Sequence, residues 1–168
     1  MGWGGYPSRA VDGNVDGHYA HGTSMHTKHG KGHDNWWQVD LEGHYPVYLV
    51  LLHNRWDCCQ DRIGGAEVYL DNYKCGYVSY YRGVAVYPIN CGGKNGRIVK
   101  VVQKNNFLTL AEVQVFGTGG PGLSVPNFGT GDVMLLSHQK KTSQNSVGWG
   151  GVSRRAVDGK TGGDFRQK

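Results

Sequence analysis

The stretch NRWDCCQDRIGG, Asn54 to Gly65, sets Arg55 and Arg62 around two aspartates and a pair of adjacent cysteines, directly after the apolar run VYLVLL. Guanidinium groups are obligate donors in a fixed fork, so two of them can aim several N–H groups at the lone pairs of one polar ligand. Hydrogen bonds from charged donors are the strong ones, roughly 1.5 to 3 kcal/mol each. Asp57, two residues after Arg55, is placed to hold one guanidinium in position. The plainer reading of the same residues is a solvated cluster of two arginines and two aspartates in surface ion pairs, which are worth little. A bond between Cys58 and Cys59 would span Cα atoms about 3.8 Å apart. That is shorter than the roughly 4.4 to 6.8 Å usual across a disulfide, and it closes almost no loop. Stability is a poor reason for such a bond; a rigid apolar knob of sulfur between two arginines is a better one. The other arrangement pairs each of them with Cys75 or Cys91. Against it, Cys75 and Cys91 flank the hairpin-like segment GYVSYYRGVAVYPIN and would join its ends.

The elements that must carry these residues are strands. The chain has 168 residues, of which 28 are Gly, 11% aromatic and 18% charged, a composition that suits short strands and tight turns and points to an all-β class. No window holds apolar residues at helical spacing for three turns, and no apolar run reaches the roughly 18 residues that cross a membrane. Membrane insertion is not expected. The net charge of +5 comes from scattered Lys and Arg without a basic run, so it reads as solubilising charge and not as a nucleic-acid surface. Four cysteines without a C-x2-C pair favour disulfides over zinc, and disulfides imply an extracellular, secreted location. The opening MGWGGYPSRA shows no apolar core of a signal peptide, so the chain reads as a mature form or a fragment.

GWGGYPSRAVDG, Gly2 to Gly13, recurs as GWGGVSRRAVDG, Gly148 to Gly159, with nine of twelve positions identical. The division expected is one domain over residues 1–117, a Gly/Pro-rich linker over 118–131, and the truncated start of a second repeat over 132–168. Runs at 36–41, 47–54, 66–70, 83–89, 96–103 and 110–117 are the candidate strands, enough for a sandwich or jelly roll. The arginine motif then lies on the loop leaving the second strand, at one end of the sandwich.

VDGN, HGTSMHT, NWWQVDL, NRWDCCQDRIGGAEVYL and LTLAEVQVFG, in that order over residues 1–117, resemble the F-type lectins, the fucolectin family of fucose-binding proteins. The resemblance implies a discoidin-like jelly-roll β-sandwich and a sugar site of a histidine followed by R-x-D-x4-[RK]. Here that is His26 by its S-x-H-T setting, with His29 the alternative, then Arg55, Asp57 and Arg62. In the family the vicinal disulfide, here Cys58 and Cys59, lies against the fucose. Three hydrogen-bonding groups converging on an axial hydroxyl and its neighbours would reject an epimer that leaves them unpaired. A structural Ca2+ is also implied, with Arg9 and Thr23 as carbonyl ligands beside Asp12, Asn14 and Glu112, hard oxygens that suit the ion. Two departures stand out. Ser24 and Ala111 occupy the positions of a further family disulfide, and Trp56 replaces the frequent Gly in R-x-D, where it either stacks on a neighbouring sugar or covers the loop.

These readings combine into a calcium-containing lectin for fucosylated glycans. Its tail, Val133 to Leu136, is expected to add a strand to the first domain, from its own chain or from a neighbour in a strand-swapped dimer. The enzyme rival, a glycosidase, needs two carboxylates with one held protonated, and Asp57 and Asp61 sit among cations that favour ionisation. A discoidin-like adhesion jelly roll that binds membrane or protein surfaces would not require the Arg, Asp, Cys and Arg cluster. Five histidines, His18, His21, His26, His29 and His33, could bind a transition metal, but on a Gly-rich loop their spacing defines no face.

Overall fold

The computed structural model describes residues 4–121, 123–124 and 133–147. Ten antiparallel strands build it: β1 (Met25–His26), β2 (Asn35–His53), β3 (Glu67–Leu70), β4 (Tyr73–Tyr77), β5 (Val86–Gln103), β6 (Thr109–Leu110), β7 (Glu112–Thr118), β8 (Leu123–Ser124), β9 (Val133–Leu135) and β10 (Lys141–Gln144). β1 pairs with β6, and the others form one sheet in the order β4-β3-β5-β2-β7-β9-β8, with β10 beside β2. The fold is all-β, as expected.

The strands expected at 36–41 and 47–54 are the two halves of one strand, as are those at 83–89 and 96–103. The turn-like residues between them still pair, Tyr45 with Gly96, Pro46 with Asn95 and Val47 with Lys94, so a bend takes the place of a break. Register shifts after Asp40 and after Val47 absorb the bend, with Glu42 at φ 66°. An extra residue reverses which side chains face inward. Trp37, Val39 and Leu41 are buried before the bulges, Val50 and Leu52 after them. The first half of β2 lies between β5 and β10, the second between β5 and β7, so the two long strands run through both layers of the sandwich. Apolar side chains from both halves enclose a single core.

Cys75 bonds Cys91 and Cys58 bonds Cys59, leaving no free cysteine. The first of these does not close a hairpin. Cys75 is in β4 and Cys91 in β5, and β3 lies between those strands in the sheet, so the bond ties the edge strand across to the far half of β5.

Residues 133–147 pack back on the domain. β9 pairs with β7 through Phe116, Gly117 and Thr118, and β10 pairs with β2 from Trp37 to Asp40. Between them the Leu136 amide donates to the Val115 carbonyl, and the buried Ser137 hydroxyl accepts from the Val115 amide and donates to the Val113 carbonyl. Leu136 is 2% exposed. It fits because Gly117 has no side chain: a Cβ there would lie 2.6 Å from the Leu136 Cδ1. The second copy of the repeat motif, Gly148 to Gly159, lies outside the described residues.

Leu136→Ala should therefore destabilise the protein by about 2 to 4 kcal/mol, the cost of a buried leucine cavity. Denaturant unfolding measures it. Unchanged stability would mean that the tail is not packed on the domain in solution.

Candidate functional site

His26 ends β1, Arg55 follows β2 by two residues, and Arg62 sits on a 3-10 turn, Gln60–Ile63. The structure brings the three together with two aromatic rings that the sequence reading missed. The Arg55 guanidinium lies 4.7 Å from the Tyr19 ring and the Arg62 guanidinium 4.7 Å from the Phe107 ring. The His26 imidazole stands between, 5.5 Å from Tyr19 and 5.3 Å from Phe107. Tyr19 and Phe107 come from loops far apart in sequence, and neither carries a spacing signal. His29 is elsewhere: its ring packs on His33 at 4.7 Å and its carbonyl accepts from the buried Asn35 amide. Of the two candidate histidines, His26 is the one in the cluster.

Arg55 is only 5% exposed and needs a counter-charge. Asp57 supplies it through two parallel bonds, from Nε at 2.9 Å and Nη2 at 2.6 Å. Burial pushes the Asp57 carboxyl up, but the hydrogen bonds and charge of Arg55 outweigh it and hold the group below its ordinary value. The Arg55 Nη1 lies outside that pair. Arg62 has no carboxylate at ion-pair distance among the described residues. Its turn is held from below by Gln103, buried at the end of β5, whose amide donates to the Arg62 and Gly64 carbonyls.

His26 differs from the charged donor that the motif suggests. Its Nδ1 bonds the Thr27 carbonyl, which can only accept, so Nδ1 carries the proton. Burial pushes its pKa from 6.5 down to about 4; the Thr27 bond opposes this, and the charges of Arg62 and Arg55 reinforce it. At neutral pH His26 is uncharged, and with Nδ1 protonated its Nε2 is an acceptor in a ring close enough to two cations to feel their charge. A Cβ on Gly5 would lie 2.5 Å from the His26 amide nitrogen, which places the Gly5 backbone directly against the histidine.

Cys58 is exposed and Cys59 half-buried in left-handed conformation at φ 56°, on the loop between the two arginines. Trp56 is 51% exposed and meets the His18 ring edge-on at 5.1 Å, while His18 stacks on His21 at 4.2 Å. The indole thus covers the 14–18 loop and keeps half its surface in water. The five histidines do not converge, and among the described residues no three His, Cys, Asp or Glu side chains form a metal cluster.

A second polar centre lies where the loop after the turn Pro7–Val11 meets the start of β7. Glu112 is fully buried, one oxygen accepting from the Gly13 amide at 3.3 Å and the other without a hydrogen-bond partner among the described residues. Burial first, and then the negative charge of Asp12, push its carboxyl up to about 8. Asp12 is raised too, by burial. Its Oδ1 accepts from the Asn14 amide, and the Thr23 hydroxyl donates to the Asp16 carbonyl in the same loop. Two carboxylates forced together with an orphaned oxygen suit a hard cation, whose charge would remove the repulsion. With only two carboxylates, the remainder of such a shell would have to be carbonyl and amide oxygens.

Residues 9–101 match the model of the NedA-like, galactose-binding domain family. The chain is 36% identical over 119 residues to the pentraxin fusion protein of Xenopus laevis, covering 64% of this chain and 28% of that protein. It is 36% identical over 118 residues to Fucolectin-6 of Anguilla japonica, covering 66% and 62% respectively. It thus spans less than two thirds of these curated relatives. Among solved structures, the lectin domain of lectinolysin complexed with Lewis B antigen is 36% identical, with a TM-score of 0.60, covering 67% of this chain and 84% of that one. The fucolectin from striped bass (Morone saxatilis) serum is 31% identical, TM-score 0.60, covering 67% and 42%.

The depressed His26 pKa carries a stability consequence. The unfolded chain binds this proton at 6.5 and the folded one only at about 4, so the stability from keeping His26 neutral is present above 6.5 and is lost as pH falls toward 4. His26→Asn should flatten that part of the melting temperature against pH. Parallel wild-type and variant profiles between 6.5 and 4 would count against a buried neutral His26.

Proposed function

The chain belongs to the F-type lectin (fucolectin) family, and we propose that it is a lectin recognising L-fucose on fucosylated glycans. The observation that carries this reading is one neutral acceptor and two cationic donors meeting at one end of the sandwich beside an exposed vicinal disulfide. A sugar hydroxyl both gives and takes hydrogen bonds. It can donate to His26 Nε2 while accepting from Arg55 and Arg62, three partners around one oxygen, which only the correct stereochemistry places there. Asp57 orients Arg55, and the Cys58–Cys59 pair offers the apolar surface for the methyl group and deoxy face. The site binds and does not react: Asp57 is locked to Arg55 in its ionised form, unlike the protonated acid that glycoside hydrolysis needs. An adhesion module without sugar specificity would have no use for three convergent groups of this kind.

The relatives' sources extend the reading to location. The striped bass fucolectin comes from serum, and no described helix here is long and apolar enough to cross a membrane. Together with two disulfides this supports an extracellular lectin. We also assign a structural Ca2+ to the Glu112 centre, with the Asp12 and Glu112 carboxylates, the Asn14 amide and the Arg9 and Thr23 carbonyls as its ligands. The ion would keep Glu112 ionised and tie the loop bearing Tyr19 to β7.

Calorimetric titration with methyl α-L-fucoside should give a Kd on the order of 10 μM to 1 mM. Arg55→Ala or Arg62→Ala should remove measurable binding with the fold intact. Affinity should hold from pH 8 to 6 and fall toward pH 4, where a protonated Nε2 would point a third cationic donor at the same oxygen. Full affinity in Arg62→Ala would sink the site.

EDTA should lower the melting temperature, added calcium should restore it, and Glu112→Gln should remove that response. A melting temperature indifferent to chelation would exclude the ion.

A further inference from the structure

The strand β10 lies outside the stretch 1–117 that carries the lectin motifs, yet it reaches the site. The Gln144 side-chain amide nitrogen lies 3.2 Å from the Gly5 carbonyl, 3.2 Å from the His26 carbonyl and against the Ser146 carbonyl, its two hydrogens shared among the three. Its Oε1 is buried with no hydrogen-bond partner among the described residues, so the amide is oriented by the three carbonyls alone. The His26 amide in turn donates to the same Gly5 carbonyl at 3.2 Å. Gln144 therefore bridges the two backbone segments whose close approach sets His26. Its neighbours act elsewhere: Asn145 accepts from the Trp36 amide at 3.0 Å and donates to the Asp34 carbonyl at 3.0 Å, while Ser146 accepts from the Lys28 amide at 3.0 Å.

We propose that Gln144, carried on the segment between the two copies of the repeat motif, is a positioning residue for the His26 of the first copy. It touches no ligand. It fixes the His26 backbone, and through it the direction of Nε2 between the two arginines, so the site is complete only while β10 is docked on β2. The inference rests on the fucose-binding reading for its ligand, but not for its geometry.

Two full-length variants separate positioning from mere strand stability. Gln144→Leu removes the bonds to Gly5 and His26, whereas Asn145→Ala removes bonds of the next residue that do not involve His26. Both should lower the melting temperature by a few degrees. Only Gln144→Leu should weaken binding of methyl α-L-fucoside, by roughly three- to tenfold for two neutral hydrogen bonds. Only Gln144→Leu should shift the His26 imidazole resonances in the sugar-free protein. The proposal is overturned if Gln144→Leu leaves both the affinity and the imidazole signals at wild-type values, or if Asn145→Ala changes them equally. If the wild type binds no fucoside, the functional reading fails, and the imidazole signals alone decide the role of Gln144.

Discussion

The site depends on β2 and β5 staying paired on both sides of two bulges, from one layer of the sandwich into the other. Both strands hold their ladder through the bulges after Asp40 and Val47, so the end of β2 is delivered to a defined place with its inward parity reversed. Asn54 and Arg55 follow at once. The Asn54 amide donates to the Ala85 carbonyl and its side chain to the Gln60 carbonyl, which sets the start of the loop bearing both arginines and the cysteine pair. At the other end of β5, Gln103 holds the turn of Arg62. One pair of strands thus positions both cations, and a loop with little core of its own is held at both of its ends.

Two guanidiniums placed close together repel, and the surroundings divide the cost. Arg55, the more deeply buried, is neutralised by Asp57; Arg62 lies on the Phe107 face and is more open to water. A third positive group would undo the balance, and burial keeps His26 neutral. The result is a centre with two donors and one acceptor around a common point, the complement of a hydroxyl. The Glu112 centre is the opposite case: a buried carboxylate lies beside that of the more open Asp12, and the two charges repel. The first centre suits a neutral ligand with lone pairs, and the second suits a metal ion.

Much of this was legible in the sequence because the motif residues are close along the chain. Arg55, Asp57, the cysteine pair and Arg62 fall within eight positions, and their types alone specify donors, a counter-ion and an apolar knob. The choice of His26 over His29 was not, since both lie on one Gly-rich loop and only the β1–β6 pairing separates them. Nor was the acceptor role of His26. It follows from the Thr27 carbonyl at Nδ1 and from burial, neither of which leaves a trace in residue type. Tyr19 and Phe107 were invisible for a similar reason: a ring from the loop before β1 and another from the loop before β6 meet only after the sheet has formed. The long strands were misread as pairs of short ones because Gly and Pro usually mark turns, whereas here GHYP and GGKNG face each other across a bend.

The tail shows how a repeat can blur the boundary of a domain. A sheet edge with unpaired amides and carbonyls draws the nearest compatible strand, and the segment leading into the second GWGG copy is tethered within reach. Having docked, it does more than cover the edge: Leu136 fills space left by Gly117, Ser137 bridges two backbone groups of β7, and Gln144 reaches the backbone of His26. A boundary drawn at residue 117 on motif similarity would leave these contacts outside the domain. The physical unit includes β9 and β10, because their removal would expose the core beside β7 and take away the Gln144 hydrogen bond to the His26 carbonyl.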